Sequence, residues 1–175
     1  RRHRPPTRRP IDSDSRGRVQ VFAESNLSSV SMAEYLLTMA GIEKDDRIIF
    51  LDEALPEKPD YLSLMTLIGL KLLKLPHLSC PFEIPYIYSD FTGPSAGFWG
   101  LGFGYARTVP QGLRPSQPPR FEELVNSDST SMESSWLIVG SITRNWQLSQ
   151  DLLKVFNPSR TIWIHGEDLP PTGEE

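Results

Sequence analysis

Residues 47–51 read Arg47-Ile-Ile-Phe-Leu51, followed by Asp52-Glu53 and then, after a short Pro-containing stretch, by the apolar run from Tyr61 to Leu75. A continuous run of branched apolar residues without polar alternation suits a strand buried on both faces, the situation of a parallel sheet. The run after it has helical spacing, with Asp60 placed to cap its start and Pro76 to stop it. Its apolar positions, Leu62, Met65, Leu67, Ile68, Leu70, Leu72, Leu73 and Leu75, cover so much of the circumference that the helix is expected to be almost wholly buried. Strand, acidic turn and buried helix together form the first half of a β–α–β crossover.

On the amino-terminal side, Arg18-Val-Gln-Val-Phe-Ala23 has β-branched and aromatic content that predicts a strand. The spacing of Met32, Tyr35, Leu36 and Met39 predicts a helix from Ser31, with Ser31 and Glu34 as a capping box and Gly41 as a left-handed cap. On the carboxyl side, Ile84–Phe91 predicts a third strand and Trp136–Ile142 a fourth. Thr143 is placed to cap a helix to Phe156, with Trp146, Leu152, Leu153 and Phe156 on its buried side, and Thr161–His165 predicts a fifth strand. A short helix is expected at Phe121–Val125. The predicted core includes Val21, Leu36, Ile48, Phe50, Leu67, Ile87, Leu137, Val139, Leu152 and Ile162.

Strands separated by single helices imply right-handed crossovers and a sheet covered on both faces. The expected fold is therefore a three-layer α/β domain, Rossmann-like or flavodoxin-like, with about five mostly parallel strands and a Gly/Pro-rich insertion at 92–120. We expect one domain over residues 18–168, a disordered basic linker at 1–17 and a flexible acidic tail at 169–175. The 175 residues suffice for a hydrophobic core without metals or disulfides, and the one cysteine, Cys80, excludes an internal disulfide and suggests a reducing compartment.

The formal charge of −4 is unevenly spread. Residues 1–18 carry seven arginines against Asp12 and Asp14, a balance of +5, which leaves −9 for the rest. An acidic body excludes a broad nucleic-acid surface, which needs several phosphates neutralised. The basic segment suits an anionic lipid surface, and arginine clusters lie on the cytoplasmic side of membrane helices. With Arg1 at the start, the sequence reads as a piece of a longer polypeptide in a larger assembly, for which a membrane anchor is one form, and its expected location is the cytoplasm or the cytoplasmic side of a membrane.

In open α/β sheets ligands sit beyond the carboxyl ends of the strands. That rim is expected to hold Glu24, Ser25 and Asn26; Asp52 and Glu53; Ser89 and Asp90; Ser141 and Thr143; and His165, Glu167 and Asp168. Acidic residues after strands are expected first as helix caps and turn residues; the alternative is a site for a hard cation such as Mg²⁺, as in a metal-dependent phosphohydrolase. Phe50-Leu-Asp-Glu53 resembles the acidic strand end of nucleoside triphosphatases, but no phosphate-cradling G-x-x-x-x-G-K-[ST] occurs. Asn26-Leu-Ser28 is a glycosylation sequon, relevant only to a secreted chain.

Gly93-Pro-Ser-Ala-Gly97 resembles the G-x-S-x-G nucleophile elbow of α/β-hydrolases, which would make Ser95 the nucleophile. Ile164-His-Gly-Glu-Asp168 resembles that family's late acidic turn, giving Asp168 the orienting role, but the family's histidine should follow it and none does; His165 serves as base only in a different order, with Asp128 or Asp151 as its partner. Leu169-Pro-Pro-Thr-Gly173 resembles the signal that sortases cleave in surface proteins, without the apolar span and basic tail of that signal. Each catalytic pattern lacks a member. A non-catalytic binding or regulatory domain is the better expectation, with a protein or parent membrane assembly as partner. Its contact is expected in Gly93–Arg107, where Phe98, Trp99, Phe103 and Tyr105 are apolar anchors and Arg107 faces an anion, with Asn26, Asp52 and Asp90 on the rim.

Overall fold

A computed structural model describes residues 13–55, 58–117, 120–126 and 132–166. Helix α1 (Ser13–Asn26) and helix α2 (Ser29–Ala40) precede strand β1 (Ile48–Leu51), helix α3 (Tyr61–Leu72) and the two-residue strand β2 (Leu78–Ser79). After a long irregular segment with three 3₁₀ turns come α4 (Phe121–Val125), β3 (Trp136–Val139), α5 (Ile142–Leu152) and β4 (Thr161–Trp163). The four strands form one all-parallel sheet in the order β2-β1-β3-β4. In register, Ile48 pairs with both Leu78 and Trp136, and Leu137 with Thr161.

Both faces of the sheet are covered, giving the three-layer α/β architecture expected of the sequence. Side chains on β1 and β3 alternate between the faces. Ile48, Phe50 and Ile138 point into a core with Ala33, Leu64, Leu67, Ile68 and Leu70 of α2 and α3. Ile49, Leu51, Leu137 and Val139 point to the opposite core with Leu124, Leu152 and Phe156. Tight contact of α2 with α3 rests on Gly69, whose missing Cβ would strike the Ser29 carbonyl.

Several elements differ from the expectation. Residues 18–23 belong to helix α1, and Val21, placed in the predicted core, is 63% exposed. The helix also runs through residues 13–17, so the expected linker boundary at 17 falls inside it; residues 1–12 lie outside the described residues, as do 167–175 with the expected tail. Residues 84–91 form a 3₁₀ turn at Pro85–Ile87 and a single bridge from Tyr88 to Val109, and the strand on that side of β1 is Leu78–Ser79 instead. Proline at 85 supplies no donor for a ladder.

The caps differ as well. Ser28 caps α2, its Oγ accepting from the Ser31 N–H at 3.1 Å while Ser31 Oγ accepts from the Ser28 N–H at 3.0 Å; the reciprocal pair lies one turn ahead of the predicted Ser31–Glu34 box. Gly41 closes α2 in the left-handed region at φ 70°, and Asp60 caps α3, both as the spacing predicts. β3 ends at Val139, and α5 starts at Ile142 after Ser141 at φ 45°, ahead of Thr143. Trp146 is 51% exposed, tilted against Trp163. Among the described residues no helix is long and apolar enough to cross a membrane.

Candidate functional site

The strand order reverses between β1 and β3, because the chain adds β2 on one side of β1 and β3 on the other. At such a switch point the two following loops diverge and leave a crevice over the carboxyl ends. Three polar side chains meet there. Asp52, immediately after β1, is 3% exposed. Ser63 Oγ donates to its Oδ2, and Asn145 Nδ2 donates to its Oδ1 at 2.9 Å. Asn145 also donates to the Gly140 carbonyl after β3, and its Oδ1 accepts from the Glu53 N–H at 3.0 Å. The cluster thereby ties the end of β1 to the starts of α3 and α5. Gly140 leaves room for it, since a Cβ there would run into Ser63 Oγ.

Burial pushes the Asp52 carboxyl above its ordinary value, although the Ser63 and Asn145 hydrogen bonds and the Arg144 guanidinium act the other way. Asp60 sits alongside. One oxygen accepts from the Ser63 N–H at 3.0 Å and the other from the Gly166 N–H at 3.1 Å, so this carboxylate caps α3 and anchors the segment after β4. Above the cluster lies a cleft of about 490 Å³, lined by Lys58, Asp60, Tyr61, Trp99, Arg144 and Gly166.

Trp99, from the segment Gly93–Arg107, lines one side of this cleft. The segment is a loop with its ends drawn together: Arg107 Nε donates to the Phe91 carbonyl at 2.9 Å and Nη2 to that of Gly93 at 3.1 Å. Aromatic rings fill its inside. Phe98 packs on Phe91, Tyr86 and Tyr105, and Tyr105, wholly buried, donates its hydroxyl to the Trp99 carbonyl at 2.9 Å. The backbone enters the left-handed region at Gly100, Leu101, Gly102, Gly104 and Arg107. Trp99, Leu101 and Phe103 are turned outward, 60%, 72% and 87% exposed, and Trp99 meets Tyr61 edge-to-face at 5.5 Å.

The residues expected at the site therefore separate. Asp52 lies at the carboxyl end of β1 and His165 follows β4. Asp90 lies elsewhere, its Oδ1 accepting from Arg114 Nη2 at 2.9 Å beside Tyr88. Asn26 ends a helix rather than a strand, exposed, its Nδ2 donating to the Phe22 carbonyl at 3.0 Å. Tyr105 is core, Arg107 is exposed with its guanidinium closing the neck of the loop, and Phe98 is half-buried. Ser95 lacks the strand-to-helix setting of a nucleophile elbow, since residues 84–91 form no sheet strand and a 3₁₀ turn at Trp99–Gly102 follows. Asp168 and the 169–173 motif lie outside the described residues. No group of three or more His, Cys, Asp or Glu side chains able to hold a metal occurs among the described residues.

Ser63, Asn145, Arg144 and Lys58 were not legible as site residues. A usable signal existed for two of them: Ser63 and Asn145 are polar residues at helix positions that turn inward, and buried polar groups need partners. Compared with protein-family models, curated proteins and solved structures, the chain matches none.

Proposed function

We propose that this chain is a non-catalytic binding domain of a larger assembly, and that it contacts a protein partner through the loop Gly93–Arg107. One observation carries the reading: three large apolar side chains project from a loop that is clasped at its neck and packed from within. Projecting Trp99, Leu101 and Phe103 into water has no benefit for the isolated fold, whereas a loop already ordered loses little further freedom when it docks. Trp and Phe are of the kind that anchor protein interfaces. The left-handed Leu101, at φ 56°, adds local strain of the type found where function fixes a conformation.

Trp99→Ala tests the reading with two measurements on one variant. Its stability is expected to fall by less than about 1.5 kcal/mol, while association weakens by about 1–4 kcal/mol. A stability loss of about 3–5 kcal/mol with association unchanged identifies Trp99 as a packing residue and refutes the proposal.

A further inference from the structure

We propose that the cleft over the carboxyl ends of β1 and β3 binds a small organic anion, its carboxylate or phosphate against Lys58 and Arg144 and a flat apolar body against Tyr61 and Trp99. The position is the switch point of the sheet, and about 490 Å³ is within the size range of small-molecule sites.

The charges around the cleft are unequally satisfied. Arg144 Nη2 donates to the Lys58 carbonyl, but Nη1 has no hydrogen-bond acceptor, and the nearest carboxylate oxygen, Asp52 Oδ1, is 3.9 Å away. Lys58, exposed at the rim, makes no ion pair among the described residues. On the acidic side, both oxygens of Asp60 already accept backbone N–H groups. Asp52 is buried beneath the cleft with Ser63 and Asn145 on its oxygens. Both cations thus line the cleft, Arg144 with one buried nitrogen left without an acceptor and Lys58 without an ion pair among the described residues, while the carboxylates have their hydrogen-bond partners.

Nη1 is buried as it stands, so in the proposed complex the guanidinium would turn to donate to the anion, making the charge-assisted bond that Asp52 at 3.9 Å leaves unmade. Arg144 is the third residue of α5, so the positive end of that helix adds to the same field. Trp99 and Tyr61, at 76° to one another, supply the apolar wall.

The test is calorimetric titration of the full chain with phenyl phosphate and benzoate, against phenol and inorganic phosphate. The expected result is saturable one-to-one binding of both aromatic anions, weaker binding of inorganic phosphate, and none of phenol. Added salt weakens the binding. Lys58→Gln, at an exposed position, is expected to leave thermal unfolding unchanged and to weaken both anions about tenfold or more, and Arg144→Gln to do so at least as strongly. The cleft shares Trp99 with the proposed partner contact, but both variants leave Trp99, Leu101 and Phe103 unchanged and the titration contains no partner, so the two readings fail separately. Phenol binding as well as phenyl phosphate, no saturable binding of either anion, or a Lys58→Gln variant that binds normally would each overturn the proposal.

Discussion

Asp52 shows how a single side chain organises the switch point. Buried and placed at the end of a strand, it stays in place because Ser63 and Asn145 donate to its two oxygens from two different helices. The burial has a consequence for pH. A carboxyl whose folded value is raised above the unfolded one binds its proton more tightly when folded, so its contribution to stability is greatest in acid and is lost as pH rises through the folded value. Chemical unfolding of the wild type is therefore expected to lose stability relative to Asp52→Asn as pH rises through and above the ordinary carboxyl range. Parallel pH profiles for the two proteins would show that the carboxyl is not held up by its burial. Position 52 was legible because an acid directly after an apolar run marks a strand end; its partners were not, because Ser63 lies 11 residues and Asn145 93 residues away in sequence.

Leu101 makes a second argument at the residue scale. A non-glycine residue in the left-handed region costs roughly 1–2 kcal/mol, and glycine is free of that cost but gains about 0.5–1 kcal/mol of backbone entropy when unfolded. Leu101→Gly is thus expected to keep or slightly raise the melting temperature while weakening partner association through loss of one projecting side chain. A clear drop in melting temperature would mean that Leu101 packs on the domain and is not held in its conformation for contact.

Among the elements, β1 and α3 were readable because local and global signals agree: an unbroken apolar run, an aspartate cap and a wide apolar face all demand burial. α1 was not. Val19 and Val21 alternate as in a strand, yet the segment is helical, pairs with no strand of the sheet, and leaves Val19, Val21 and Phe22 largely exposed. β2 was missed because two residues carry no periodicity, and the alternating Ile84–Tyr88 segment, although buried, is turned away from the sheet at Pro85. The α2–α3 contact supplies a quantitative check. Gly69→Ala pushes a Cβ into the Ser29 carbonyl and to 2.8 Å from the Ala33 Cβ, so α2 must shift. The expected cost is about 1–3 kcal/mol in denaturant unfolding. A neutral result would show that α2 does not lie as closely on α3 as described.

At the scale of the whole molecule, the parallel sheet and its two helix layers followed from the alternation of elements, but the strand order that locates the cleft did not, since no local pattern states which side of β1 receives the next strand. The contact loop was visible as a Gly-rich segment with interleaved aromatics; which of those rings point inward was not, because Phe98 and Tyr105 differ from Trp99 and Phe103 only in their tertiary neighbours. As proposed, the loop is a presenting surface on one side of the domain, with the helices α4 and α5 packed on the other face of the sheet as support. Site-specific photo-cross-linking in the cells that make this protein tests that most directly, with benzoylphenylalanine in place of Phe103 and, as the control, in place of the exposed Glu122 on α4. A discrete adduct with a protein partner is expected from position 103 and none of that mass from position 122; no adduct from 103, or the same adducts from both positions, would contradict a partner contact through this loop.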